Sequence, residues 1–313
     1  VYSVGAQAGN FTVEHNAINK DVKETVIKGK IAIVKYRNDN DKQIKTPEPN
    51  AQFEIYLKSA GSYVNAKEYE KDILTTDADG NALSKSMPYG TYTVHQVKGT
   101  EGFYFVDDFD VVISENGKTY QFILNNEMMK SKIKIVKQDA ETHKVIPVAN
   151  VGFKIRNTDT SEYVTMHVNY PTDRDIDVFY TNGEGTVTLP ERLGYGNYEL
   201  IEVSAPAGYI LNSNPIAFKA DGTDIVVTKE DMPQKGKITI VKTGEVFTTV
   251  SQNGATYTPN YSVEGLKGTV FEVKAAEDIY TPDGTLRYTQ GQVVDTVTTN
   301  SNGTATTKAL YLG

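Results

Sequence analysis

Three lysines stand at the same place in three near-copies of one hexapeptide. The copies are K-I-A-I-V-K at 30–35, K-I-K-I-V-K at 132–137 and K-I-T-I-V-K at 237–242. In a strand, side chains two residues apart share a face, so Lys35, Lys137 and Lys242 point with the isoleucines toward a core. An unpaired ammonium is costly there. Burial favours the neutral amine, which is a nucleophile, so these positions could carry covalent chemistry.

Carboxyl and amide side chains occupy core-facing places on two later strands of the repeats. Glu202 is in phase with the apolar residues of its strand, and Gln96 stands at the corresponding place in the first repeat. Asn126 is in phase with its apolar neighbours. Asp231 is the counterpart of Asn126, because each stands eleven residues before the next core-facing lysine. A buried Lys–Glu–Asp salt-bridge network is the plain alternative to a reaction at these positions.

The elements that would position these side chains are short strands separated by Gly, Asn and Asp turns. Such repeats, each with the same order of strands, predict tandem all-β sandwiches. The predicted division is an N-terminal segment 1–28 and domains at 29–130, 131–235 and 236–313, the last without its closing strands. Within the first segment, Phe11-Thr12-Val13 and Val22 to Ile27 resemble closing strands, which either end a preceding domain or pack elsewhere.

Residues 198–209 read Y-E-L-I-E-V-S-A-P-A-G-Y. This segment resembles the Y-x-L-x-E-x-x-A-P-x-G-Y "E-box" of the Cna-B, or SpaA-type, domains of Gram-positive surface proteins and pilins. The resemblance extends over nearly all of residues 29–313. It implies tandem immunoglobulin-like, prealbumin-like β-sandwiches of the Cna-B type.

The resemblance also implies a role for each core-facing side chain. In such domains the lysine amine joins a closing-strand Asn or Asp in an intramolecular isopeptide bond, assisted by a buried glutamate. By that likeness Lys137, Glu202 and Asp231 form the set of the second repeat, and Lys35 pairs with Asn126 in the first. Gln96 departs from the family glutamate, so either another acid assists there, or the bond forms slowly or not at all. Lys242 is left as an unpaired candidate.

Composition excludes several other classes of function. A net charge of −8 without a Lys/Arg block argues against a nucleic-acid surface, and the lack of cysteine excludes disulfides and thiolate catalysis. No apolar run is long enough for a membrane span. Asp77-x-Asp79 resembles the start of a calcium loop but lacks the glutamate at its twelfth place, so a hairpin turn is favoured. We expect no cofactor, no metal and no conventional enzyme activity.

Two functions remain from the sequence. The first is a structural stalk or pilin-like section of a Gram-positive cell-surface protein, located in the cell wall, whose partners are neighbouring domains of the same protein. The second is an adhesin module that binds a host extracellular protein or a glycan through exposed loops. The segments 162–177 and 243–270 are the places where such a ligand would bind.

Overall fold

The computed structural model describes residues 2–4, 24–38 and 45–313. These residues form strands and two short 3-10 helices, Lys58–Ala60 and Glu68–Glu70, and none of them lies in an α-helix. The all-β prediction is confirmed. The chain forms two compact units, Val1–Ser131 and Lys132–Gly313. Across the described ranges, no helix has the length and apolar character needed to cross a membrane.

The first repeat is a sandwich of two sheets. One sheet contains, in spatial order, Phe109–Ile113, Gly90–Lys98, Gln52–Leu57 and Lys71–Thr75, all antiparallel. The other is built on Lys28–Asn38, which pairs with Thr119–Glu127, Lys45–Pro47, Asn81–Leu83 and Met87–Pro88. The core between the sheets contains Ile31 and Ile33 from one and Phe53, Ile55 and Tyr92 from the other.

The second repeat has the same plan. One sheet contains Thr186–Thr188, Ile133–Asp139, Ile225–Pro233 and Tyr209–Ile210, and the other contains Phe179–Tyr180, Gly152–Asn157, Gly196–Ser204 and Ile216–Ala220. A separate pair, Met166–Val168 and Arg174–Ile176, forms a small hairpin. Two further short strands are Lys130–Ser131 and Leu193–Gly194. Ile133, Ile135, Phe153, Ile155 and Leu200 are fully buried between the sheets.

Three strands of each repeat position the predicted chemistry, and we name them by that role. The lysine strands are Lys28–Asn38 and Ile133–Asp139, the acid strands are Gly90–Lys98 and Gly196–Ser204, and the closing strands are Thr119–Glu127 and Ile225–Pro233. Each closing strand pairs in parallel with the lysine strand of its own repeat. The first and last strands of a sandwich are therefore direct neighbours.

Residues 235–313 form an incomplete version of this plan. The strands are Lys235–Gly236, Thr239–Val241, Thr243–Asn253, Thr256–Gly265, Val270–Lys274, Ile279–Tyr280, Leu286–Tyr288, Val293–Thr298, Thr304–Thr306 and Leu310–Tyr311. Among the described residues, each of these strands pairs with a single other strand. The core is small and consists of Ala275, Val294 and Leu310. Thr239–Val241, the counterpart of a lysine strand, has no parallel partner in the described part of the chain.

Near the N-terminus, Tyr2–Val4 pairs antiparallel with Glu24–Val26. The predicted strand at Phe11–Val13 lies outside the described residues. The turn at Asp77–Asn81 is tight, with Asp77 Oδ1 accepting hydrogen bonds from the backbone N–H groups of Asp79 and Asn81. The backbone N–H of Asp77 donates to the carbonyl of Asn81, and that of Gly80 donates to the carbonyl of Asp77, as in a hairpin turn. The flanking strands then diverge, because Lys71–Thr75 belongs to one sheet and Asn81–Leu83 to the other.

Candidate functional site

The second repeat brings the three predicted side chains together in its core. Lys137 Nζ lies 2.8 Å from Asp231 Oδ1 and 3.5 Å from Glu202 Oε1, and all three side chains are inaccessible to solvent. The amine also donates a hydrogen bond of 3.2 Å to the carbonyl of Lys229. The structure therefore brings together the three side chains that the sequence analysis named, and their chemical roles stay a prediction.

Strand pairing explains why Lys137 and Asp231 meet. The parallel register sets Lys137 opposite Lys229 and Asp139 opposite Asp231. Asp231 thus lies one side-chain repeat along the neighbouring strand, on the same face, within reach of a long lysine side chain. Glu202 comes from the facing sheet, where it pairs with Phe153 next to a bulge at Gly152.

A turn glycine fixes the lysine strand from the other side. The backbone N–H of Lys137 donates to the carbonyl of Gly185, and the N–H of Ile146 donates to the carbonyl of Lys137. Gly185 has φ +72°, and a Cβ placed there would lie 1.9 Å from the carbonyl oxygen of Ile146. Only glycine fits so close an approach in the left-handed region.

The electrostatics of this cluster favour the protonated form of Glu202. Burial, together with the neighbouring Asp231 carboxyl, raises the pKa of Glu202 to about 8, although the Lys137 amine opposes the shift. None of the four carboxyl oxygens of Glu202 and Asp231 has a hydrogen bond of acceptable geometry to any described residue. The close contact between Lys137 and Asp231 thus lacks the hydrogen bonds that would compensate a buried ion pair. A proton on Glu202 removes one buried charge from this cluster.

In the first repeat the buried amine meets an acid that the sequence analysis did not name. Lys35 Nζ lies 3.0 Å from Glu48 Oε2, and neither side chain is exposed. Asn126 Nδ2 donates to the same oxygen at 3.2 Å. Burial lowers the pKa of Lys35, although its contact with Glu48 acts in the opposite direction. Glu48 therefore links the predicted amine to the predicted amide.

The side chain of Gln96, the predicted counterpart of Glu202, is hydrogen-bonded to the backbone of the loop that follows its strand. Its Oε1 accepts a hydrogen bond from the N–H of Val106, and its Nε2 donates to the carbonyl of Lys98. Gln96 is buried like Glu202 but anchors a loop. The signal that could have revealed Glu48 is a lone acid between Pro47 and Pro49, in the first segment of the chain after the strand with the core-facing Lys35.

Lys242 lies in a different environment from the other two lysines. Its side chain is exposed. Its backbone makes the hydrogen bonds that Lys137 makes in the second repeat: its N–H donates to the carbonyl of Gly303, and its carbonyl accepts from the N–H of Leu266. The preceding strand, Thr239–Val241, pairs with Thr304–Thr306 and with no other strand of the described ranges. Over the described residues, no group of three or more His, Cys, Asp and Glu side chains is arranged to hold a metal.

With this geometry established, comparison with known proteins is informative. The family of SpaA-type domains with a prealbumin-like fold matches residues 29–128 and 131–233, which together are more than half of the chain. The chain belongs to the SpaA-type prealbumin-like family. The predicted family and the predicted fold class are both confirmed.

Proteins similar to this SpaA-type chain include a collagen adhesin, the TIE protein and a shaft pilin. A collagen adhesin of Staphylococcus aureus is 27% identical over 95% of the chain, which spans 28% of that protein. The solved Bacillus anthracis TIE protein is 21% identical, with a TM-score of 0.51, over 90% of this chain and 43% of that one. The shaft pilin SpaA of Lactobacillus rhamnosus GG is 20% identical over 66% of this chain and 98% of that one. Its TM-score is 0.28, which supports no comparison of the folds. The chain thus spans less than half the length of the adhesin and of the TIE protein.

Proposed function

We propose that this chain is a self-crosslinking stalk section of a Gram-positive cell-surface protein. The observation that carries the proposal is the buried contact of 2.8 Å between Lys137 Nζ and Asp231 Oδ1, with Glu202 beside it. The crosslink is an isopeptide bond between these two side chains. The chain acts on itself once and needs no external substrate or cofactor.

The reaction balances with the groups that the core contains. The uncharged amine of Lys137 attacks Cγ of the protonated Asp231, one C–N bond forms, and one C–O bond breaks. The hydroxyl of Asp231 leaves as water with a proton given up by the amine. Glu202 in its protonated form donates a hydrogen bond to the carbonyl oxygen under attack, which stabilises the charge that develops there. The fold supplies the positioning, which alone can contribute ≈ 7–11 kcal/mol.

The product removes the electrostatic cost that the reactants impose. An amide carries no charge, so the buried ammonium and the buried carboxylate both disappear. The bond also ties the first strand of the sandwich to its last. Pulling force is then carried across the crosslink, and the strands on either side of it cannot separate.

The proposed domain division follows the repeats, with the boundaries at 29–130, 131–235 and 236–313. In the third domain, Lys242 would react only with a closing strand that supplies an Asn or Asp. Neighbouring domains of the same surface protein are the proposed partners, and the cell wall is the proposed location. The family match and the adhesin and pilin relatives support this placement.

Paired lysine variants test the crosslink. Lys137→Ala should restore the mass of one water and lower the melting temperature of the second repeat, because the chain loses a constraint that closes a loop of about one hundred residues. By the disulfide analogy that constraint stabilises by about 4.7 kcal/mol, on the order of 20 °C for a domain of this size. Lys134→Ala, an exposed position on the same strand, is the control. Equal masses for the wild-type and Lys137→Ala chains, after allowing for the substitution, would refute the bond.

An adhesin function is the second candidate, and one surface favours it. The long hairpin of Thr243–Asn253 and Thr256–Gly265 exposes apolar side chains, among them Phe247, Tyr261 and Val263. The chain also shares 27% identity with a collagen adhesin. Saturable binding of the chain to immobilised collagen, lost when Phe247 and Tyr261 are both replaced by serine, would support this function. If the chain binds neither collagen nor any member of a glycan panel, the structural stalk is the remaining candidate function.

A further inference from the structure

The backbone places Glu48 where the other repeats have aliphatic residues. The N–H of Glu48 donates to the carbonyl of Lys35, just as Ile146 donates to Lys137 and Leu266 to Lys242. Ile146 is fully buried in the second repeat. A charged residue at such a place is costly unless it has buried partners, so the presence of Glu48 calls for a reason.

The buried partners of Glu48 are the groups of the predicted reaction. Its Oε2 contacts Lys35 Nζ at 3.0 Å and accepts a hydrogen bond from Asn126 Nδ2 at 3.2 Å. Its Oε1 accepts a hydrogen bond of 2.6 Å from the backbone N–H of Thr100, which holds the carboxyl group in one orientation. One oxygen is therefore fixed by the backbone, and the other touches both reactants.

The two complete repeats carry the same number of acids at these two positions, in exchanged places. The second repeat has Ile146 near the turn and Glu202 on the acid strand, whereas the first has Glu48 and Gln96. Two carboxylates at once would repel each other across the buried amine. The exchange keeps one acid at these two positions in each repeat and moves it from the facing sheet to a segment that is hydrogen-bonded to the lysine strand.

We infer that Glu48 is the acid catalyst for amide formation between Lys35 and Asn126, in exchange for the acid-strand glutamate of the second repeat. This inference rests on the proposed function, because it extends self-crosslinking to the first repeat. Glu48 takes a proton from the Lys35 ammonium, and the uncharged amine attacks Cγ of Asn126. Glu48 then gives that proton to the departing Nδ2. The C–N bond between Lys35 and Asn126 forms, the C–N bond to Nδ2 breaks, and ammonia leaves. Glu48 is thereby regenerated as a carboxylate. The new amide loses one further proton, which the released ammonia takes up in water.

Glutamine at position 48 separates catalysis from structure. Glu48→Gln can keep the hydrogen bond from Thr100 but cannot move a proton. We expect ammonia release at least about 10²-fold slower than in the wild-type chain, the lower end of the range for general acid–base catalysis. The measurement is intact mass against time after refolding. Gln96→Ala is the control and should lose ammonia as the wild-type chain does.

A transplanted acid provides the complementary test. The double variant Glu48→Ile with Gln96→Glu recreates the arrangement of the second repeat and should regain the loss of ammonia. Peptide fragmentation should then find Lys35 joined to Asn126. Circular dichroism melting of each variant shows whether the first repeat has folded. If the double variant folds but its mass does not decrease by one ammonia, the inference that Glu48 replaces the acid-strand glutamate is overturned.

The masses also separate this inference from the proposed function. A wild-type chain lighter by one water and one ammonia supports both. A chain lighter by one water alone overturns the role of Glu48 and leaves the second-repeat crosslink standing. A chain of full mass overturns the proposed function itself. Loss of ammonia from Glu48→Gln at the wild-type rate overturns the inference even when the wild-type chain carries both bonds.

Discussion

Glu202 has the environment that an acid catalyst needs near neutral pH. Burial and the neighbouring Asp231 raise its pKa to about 8, so the carboxyl group is protonated at pH 7 and can donate a hydrogen bond. Before the crosslink forms, the raised pKa of Glu202 makes the folded chain less stable as the pH increases. Its contribution to folding stability is complete below the unfolded value near 4.5 and is lost as the pH rises through about 8.

The pH dependence of crosslinking follows from the same shift. We expect the rate of water loss in the second repeat to fall as the pH rises through about 8, because the ionised form of Glu202 cannot assist. Chain recovered unfolded from inclusion bodies can be refolded at a series of pH values, quenched in acid and weighed by mass spectrometry. Glu202→Gln should react ~10²–10⁴-fold more slowly and lose the decline near pH 8. A wild-type rate that continues to rise above pH 9 would contradict this role.

At the scale of elements, the parallel pairing of lysine and closing strands sets which side chains lie within reach of each lysine. The register places Asp231 one side-chain repeat beyond the residue opposite Lys137. In the first repeat the same register places Asn126 opposite Arg37, two residues beyond Lys35. The turn that ends at Gly185 holds the lysine strand in this alignment through backbone hydrogen bonds.

Two glycines of one turn give a matched pair of substitutions. Gly185→Ala should lower the free energy of unfolding of the second repeat by about 1–3 kcal/mol, since the residue needs a positive φ and its Cβ would strike the carbonyl oxygen of Ile146. Gly183→Ala should leave it nearly unchanged, because nothing lies within 4 Å of its Cβ. Urea unfolding in a Lys137→Ala background measures both without the crosslink. Equal stabilities would show that this turn does not hold the strand.

Strand periodicity explains which site residues could be predicted from the sequence. Lys137, Glu202 and Asp231 all lie within regular strands, where the phase of the apolar residues reveals the buried face. Glu48 follows the strand Lys45–Pro47 in a non-repetitive segment, so no period assigns it to the core. Its counterparts Ile146 and Leu266 are aliphatic and gave no hint of an acid. Only the folded backbone, which aligns the three positions by one hydrogen bond, shows the exchange.

At the scale of the whole molecule, a buried ionic network joins the second repeat to residues 236–313. Arg287 Nη2 lies 2.9 Å from Asp139 Oδ2, and Arg287 Nη1 lies 3.0 Å from Glu141 Oε2. The hydroxyl of Tyr209, at the end of the E-box segment, donates to Asp139. Asp139 is fully buried. These contacts tie residues 236–313 to the strand that carries Lys137.

Removal of Arg287 tests that connection. Arg287→Ala leaves the buried Asp139 without its cation, which we expect to cost about 3 kcal/mol, the lower end for a broken buried pair. Hydrogen–deuterium exchange at residues 139–146 and 281–288 should become faster. Arg192→Ala, which removes an exposed ion pair with Asp224, is the control and should change little. Unaltered exchange in Arg287→Ala would mean that the network does not hold the two parts together.

The most direct test of the whole account is fragmentation mass spectrometry of a proteolytic digest of the wild-type chain. We expect a single branched peptide in which Lys137 and Asp231 are joined, lighter by one water than its two arms together. Two linear peptides of full mass, one with each residue, would contradict the account and leave a buried salt-bridge network in the core of the second repeat.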